Sequence, residues 1–314
     1  MSFSHRAEQR GERTVDILTD ESSGLRLIVS RLGAELVSLA RRNRAGDWIG
    51  FLHRDNDLTP PVKGWANHAT VMGYFLHRLK DGRSLYRGRE IAGGTHSFLR
   101  TKTWHLLEPE STETGSITYR ITPDDFTATE YPLRVSLDLT YQLVDGAVLT
   151  RFEFRNDEPE LTAHLEFGLH PGFGAASFES FRFEMPPGRY RRHFAPANYL
   201  SGETEEIEFE GGEMPFPRET LPGSVILELV DVPTPEFTFR DASAGRLVLL
   251  DLAGVPYLTL WSDGGPFLCV EPCWGLTDAH AQRRFEEKEG SQTIPPGSRL
   301  SAGFRIIPRL EEAA

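Results

Sequence analysis

Two short segments set an ionisable side chain directly before a proline: Gly168-Leu-His170-Pro171-Gly172 and Val270-Glu271-Pro272-Cys273-Trp274. Proline has no N–H to give to a ladder, so each pair reads as a strand end, with His170 and Glu271 at the mouth of a sheet. A histidine so placed either makes one turn hydrogen bond or carries a catalytic proton. Glu271 shares its strand face with Phe267 and Cys269, which have the character of interior residues. An inward carboxyl needs a partner or a raised pKa, and a buried salt bridge satisfies that as well as a catalytic role does. In a third segment, Arg78, His96 and Arg100 form either the polar rim of a pocket or a solvated basic face.

Other chemistries fare worse. His164, Glu166 and His170 fall on one strand face. At about 3.3 Å per residue the two histidines stand roughly 20 Å apart, too far to share an ion. His164 and Glu166 are therefore expected to face solvent or a wet cleft. Trp261 and Trp274 offer platforms for apolar sugar faces, or plain core packing. No phosphate-binding glycine loop, dinucleotide fingerprint, H-E-x-x-H or G-x-S-x-G motif occurs.

The elements that must position these residues are strands. From Leu133 to Leu143 every odd position is apolar and every even one polar. Asp145-Gly146 follows as a hairpin turn, and a return strand runs through Phe152 and Phe154. Alternation recurs over Leu161–His170, and further strands are expected near 25–29, 246–251, 257–261, 267–271 and 300–307. The acidic, Gly/Pro-rich stretch Ser201–Pro217 reads as a long surface loop, and both ends, 1–13 and 311–314, as frayed. The fold class is all-β, a large antiparallel β-sandwich, in one domain over 1–314 with an ordered core at roughly 14–310.

The chain has 34 Lys+Arg against 46 Asp+Glu, a net charge of -12. That disfavours nucleic acid and anionic lipid as partners. Two cysteines, Cys269 and Cys273, give no disulfide framework and no zinc-type Cys pattern. The start is polar and no long apolar run follows, which suggests a cytoplasmic protein.

Together these segments resemble the aldose 1-epimerase (galactose mutarotase-like) family. Arg78-Leu-Lys-Asp-Gly82 is similar to the segment that supplies a substrate-binding arginine. His96-Ser-Phe-Leu-Arg100 resembles the His-Gly-Phe-Ala-Arg stretch, and Gly168-Leu-His-Pro-Gly-Phe173 the His-Pro-x-Phe signature. Tyr257–Ser262 and Val270–Gly275 resemble the late strand and its catalytic glutamate, and Gly33–Leu39, Lys288–Gly290 and Pro296-Gly297 fit the family's order. The resemblance implies a single supersandwich domain, no cofactor and no metal. It makes His170 the general acid and Glu271 the general base, with Arg78 and His96 holding a small sugar; Arg100 and Trp261 are further candidates for binding it. The expected partner is a small-molecule sugar, and the expected state a monomer or homodimer. His77 and Ser97 stand where the pattern has glycine, Leu99 replaces alanine, and Ser224 falls near the place of a sugar-binding aspartate in some members. Three other readings compete: a hexose-phosphate mutarotase, a non-catalytic sugar-binding module, and a glycosidase pairing Glu271 with Asp251 or Asp263.

Overall fold

The computed structural model describes residues 3–107, 114–281 and 284–311. Period-2 patterning dictates the result: antiparallel strands, short 3-10 turns, and no helix long and apolar enough to cross a membrane among the described residues. A nine-stranded sheet carries the hairpin Val135–Val144 and Ala147–Asn156 next to the strand Arg299–Leu310. The hairpin turns at Asp145 and Gly146, whose φ values of 50° and 71° match a two-residue reverse turn. An eight-stranded sheet contains Tyr257–Trp261, Phe267–Trp274 and Ala163–Gly174 as neighbours, with Ala69–Tyr74 paired to the last. A five-stranded sheet is built from strands lying between Phe3 and Gly50.

The two large sheets pack face to face through aromatic rings. Phe154 and Phe152 of the nine-stranded sheet meet Phe167 at 4.6 and 5.2 Å between centroids, and Phe167 stacks on Trp274 at 4.9 Å. Because strand side chains alternate, every second residue points away from this core. Phe167, Leu169 and Phe173 enter it, as do Leu268, Val270 and Trp274. His170 and Glu271 belong to the opposite set, so the pleat alone sends both to the outer face of the eight-stranded sheet. Trp274 is a core residue and not a sugar platform.

Four expectations are corrected. The strands do not end at the prolines but run on to Gly174 and Trp274. Each proline is held from its other edge, Pro171 opposite Ala69 and Pro272 opposite Leu258. The mutual ladder of these two strands has no recorded pair between Gly168↔Cys273 and Gly172↔Cys269, where both prolines lack an N–H. Residues 201–217 are not one loop: Thr204–Phe209 forms an outer strand and Gly212–Glu213 a short one. Phe3–Arg10 is not frayed, since it pairs along its length with Arg13–Asp20. At the other end Glu311 donates its amide to Gly245 O, and 312–314 lie outside the described residues.

Glu166, expected to be wet, is fully buried. Its Oε2 accepts from Lys288 Nζ at 2.7 Å and from the Leu76 amide at 3.0 Å. Lys288 also donates to Leu276 O. Burial outweighs the pull of Lys288 and leaves the Glu166 carboxyl with a raised pKa.

Candidate active site

The register Gly168↔Cys273 and Gly172↔Cys269 sets His170 directly across from Glu271. His170 Nε2 lies 3.2 Å from Glu271 Oε1, with both residues buried. They form the floor of a cleft of about 360 Å³ walled by Trp65, Asn67, Thr70, His77, Arg78, Thr95, His96, Arg100, Asn198, Ser224 and Trp261. All six residues singled out from the sequence therefore meet in one cavity: His170, Glu271, Arg78, His96, Arg100 and Trp261.

Burial dominates the electrostatics. It pushes the Glu271 carboxyl well above its ordinary range and His170 down, to about 3, with His77 and Arg100 adding repulsion. The neutral forms of both are favoured, so the pair holds one proton across the 3.2 Å contact. His96 is lowered by burial and by its neighbours His170, His77, Arg100 and Arg78. His77 falls to about 4 through burial, Lys288 and Arg78. The three imidazoles run edge to face, 5.4 Å from His77 to His96 and 5.2 Å from His96 to His170. At neutral pH they present hydrogen-bonding nitrogens and no charge. His96 Nδ1, His170 Nδ1 and Glu271 Oε2 are buried without a protein partner.

The walls are aromatic and cationic. Trp65 stacks on His170 at 5.0 Å, and Trp261 stands edge-on to both rings, at 6.1 and 5.9 Å. Trp65 reaches this place because Gly172 leaves room where any Cβ would overlap its ring. Its amide is tied to Asp263 Oδ2 at 3.0 Å. Asp263 thus fastens a loop, and Asp251 lies on the nine-stranded sheet. Glu271 is the only carboxyl among the described residues lining the cleft, which removes the paired-carboxylate glycosidase reading. The Arg78 and Arg100 guanidiniums line the cleft with no hydrogen-bond or ion-pair partner among the described residues. The backbone around Arg78 is held instead: Lys80 N donates to Asp278 Oδ2 at 2.8 Å, and Asp278 N donates to Arg78 O at 3.1 Å.

The sequence left several lining residues unnamed. Trp65 follows Pro60-Pro61-Val-Lys-Gly64, and a tryptophan in such a polar, Gly/Pro-rich loop is a usable signal. Asn67, Thr70, Thr95 and Asn198 carried none. The two glycine-to-other departures have a conformational meaning: His77 and Ser97 sit at φ 51° and 64°, in the left-handed region glycine prefers. Ser224 at φ 65° lines the cleft, so no carboxylate replaces the aspartate at that place.

The sequence pattern of the aldose 1-epimerase family, described as "Aldose 1-epimerase", matches residues 16–185, more than half the chain. The chain belongs to the aldose 1-epimerase family. This supports an isomerase of mutarotase type. No curated protein matches the chain. Among solved structures, a galactose mutarotase related enzyme from Lactobacillus acidophilus is 21% identical, covering 98% of this chain and 99% of its own, with TM-score 0.82. A galactose mutarotase-like protein from Lactobacillus casei is also 21% identical, covering 98% and 100%, with TM-score 0.80. A galactose 1-epimerase from Lactobacillus acidophilus is 11% identical over 99% of each chain, with TM-score 0.71. These likenesses establish the galactose mutarotase-like fold for this aldose 1-epimerase family member.

Proposed function

We propose that this protein interconverts the α and β anomers of a free hexose or related sugar. The observation that carries the reading is the 3.2 Å contact between His170 and Glu271 on the floor of an aromatic-walled cleft. Opening a cyclic hemiacetal needs a base at the anomeric hydroxyl and an acid at the ring oxygen. In the form that reacts, the shared proton has passed to His170 and Glu271 is ionised; Glu271 then takes the hydroxyl proton while His170 protonates the ring oxygen, which leaves both groups neutral. After rotation about C1–C2 the same two groups act in reverse. Before and after opening the pair carries one proton in total, merely distributed differently, so a site that destabilises charge on both partners disfavours gain or loss of that proton. Polarimetry on freshly dissolved hexoses tests the reading: enzyme should hasten the drift to equilibrium rotation. If no sugar responds although ligand raises the melting temperature, a non-catalytic binding module replaces it.

One observation favours a second reading. Two guanidiniums without partners, Arg78 and Arg100, border a cleft with one carboxyl, an arrangement able to hold a phosphate. A hexose 6-phosphate exchanged faster than the free hexose would identify a hexose-phosphate mutarotase.

For substrate holding, Arg78→Ala and His96→Ala are expected mainly to raise KM, with smaller losses in kcat. If both constants stayed at wild-type values for the best sugar, neither residue would be a holder. Melting temperatures show whether folding is intact.

The pH profile follows from the two shifts. Low pH stops the exchange when His170 gains a proton while Glu271 keeps its own, and burial delays this far below the usual histidine value of about 6.5. High pH stops it when the shared proton leaves, which the raised Glu271 pKa also delays. We therefore expect kcat/KM to stay level down to about pH 5, with a macroscopic alkaline limb belonging to the pair. This order is the reverse of the simple one, in which glutamate sets the acid limb and histidine the basic limb. An acid limb centred near 6 would restore that simple order.

A further inference from the structure

A third ligand-type side chain lies against the acid–base floor without a part in the exchange. Glu271 and Cys273 are two residues apart on one strand, so both project to the cleft side. Gly168 faces Cys273 across the ladder and has no side chain to fill the space; a Cβ there would overlap the Pro272 carbonyl. His77 follows the strand Ala69–Tyr74, turned inward by its left-handed backbone. The neighbouring Leu76 amide is pinned by Glu166. As a result one donor atom each from His77, Glu271 and Cys273 lies within 4.8 Å of the others. Glu271 and Cys273 are buried, and Glu271 Oε2 has no hydrogen-bond partner.

The donor set is one imidazole nitrogen, one carboxylate oxygen and one thiolate sulfur. Hard cations such as Mg²⁺ and Ca²⁺ select oxygen ligands, whereas nitrogen with sulfur selects Zn²⁺ and its softer relatives. With bonds of about 2.0–2.3 Å, ligand atoms around one tetrahedral ion stand roughly 3.5 Å apart. Side-chain torsions need to close a gap of about 1 Å to reach this. His77 and Glu271 line the cleft, and Cys273 lies buried behind them against Met72 and Leu76.

We propose that His77, Glu271 and Cys273 bind a thiophilic divalent cation, Zn²⁺ or Cd²⁺, and that its binding withdraws Glu271 from anomeric exchange. Binding is a simple ligand substitution. The Cys273 thiol and the Glu271 carboxyl each release their proton to solvent as metal–sulfur and metal–oxygen bonds form, and nothing is oxidised. The inhibition rests on the anomerase reading above, but the binding does not.

The experiment therefore has two arms. In the first, Co²⁺ is titrated into metal-free protein and followed by absorption, then displaced with Zn²⁺. One equivalent should bind with a thiolate-to-cobalt charge-transfer band in the near ultraviolet. Cys273→Ser should abolish the band, and both it and His77→Asn should weaken Zn²⁺ binding by about 100-fold or more. Asparagine tolerates the left-handed backbone at 77, so the loss is not a folding effect. Absence of the thiolate band, or affinity unchanged in both variants, overturns the site whether or not any sugar is turned over. In the second arm, Zn²⁺ should inhibit wild type, while Cys273→Ser keeps the metal-free rate and resists inhibition. Zn²⁺ bound at this site without inhibition would overturn the withdrawal of Glu271.

Discussion

Glu271→Gln and His170→Asn should each slow anomeric exchange by about 100-fold or more, within the span of general acid–base catalysis. Glutamine keeps the shape of the side chain and can still meet His170, but it has no basic oxygen to accept the anomeric proton. Asparagine likewise removes the proton carrier at the ring oxygen. Losses of this size should fall on kcat, since neither change touches Arg78 or Arg100; only His170→Asn also removes a ring that Trp65 and Trp261 pack against. Stability separates this from a structural role. A carboxyl with a raised folded pKa lowers stability as pH climbs past its unfolded value, because the native state then binds more protons than the unfolded one. Glu271→Gln removes that penalty. Its stability should equal or exceed that of wild type, with the difference growing by at most about 1.4 kcal/mol per pH unit above the ordinary carboxyl range. A folded Glu271→Gln protein with near wild-type exchange would refute the mechanism. A sharply destabilised one would return Glu271 to the role of a salt-bridge partner.

Lys288→Met should cost about 3–5 kcal/mol of folding stability, the range for stripping one partner from a buried pair. Glu166 would keep its place, since its Cβ sits against Gly275 and its Oε2 accepts the Leu76 amide. It would lose the charge that faces it at 2.7 Å, and its Oε1 already has no partner. The double variant Glu166→Gln/Lys288→Met should recover part of the loss, because no buried charge is then left alone. Chemical denaturation of the four proteins of this cycle measures the coupling. A Lys288→Met effect within about 0.5 kcal/mol of zero, the range of ordinary surface changes, would show that the pair is not needed to hold the strand end before His77 and Arg78.

The fold was legible where one face is wet. Val135–Val144 alternates visibly, and the structure has a strand there. Ala163–Gly174 and Phe267–Trp274 are buried almost throughout, so their sequences lose the polar half of the pattern. There the prolines gave the strongest signal, and it pointed to strand ends. A proline stops a ladder on one edge only, and both strands have another edge to use. That His170 and Glu271, about 100 positions apart, line one candidate cleft with Arg78, His96, Arg100 and Trp261 was suggested by motifs in a shared order. What no motif carried was their environment. Whether a carboxyl such as Glu166 is solvated or paired with a lysine 122 positions away depends on packing and not on local pattern. The same holds for Trp65, seated by the absence of a side chain at Gly172.

The outer strand Thr204–Phe209 ends the eight-stranded sheet, and three glutamates, Glu205, Glu206 and Glu208, lie along it. The arginines that answer them, Arg189, Arg191 and Arg192, sit on the inner neighbour in register. A second copy arriving edge to edge would bring carboxylates opposite carboxylates at a strand spacing of about 4.8 Å. The margin therefore repels the strand addition its unpaired backbone invites. Neutralising Glu206 and Glu208 should remove that repulsion and leave the edge open to a second copy, on a strand that lends no residue to the cleft.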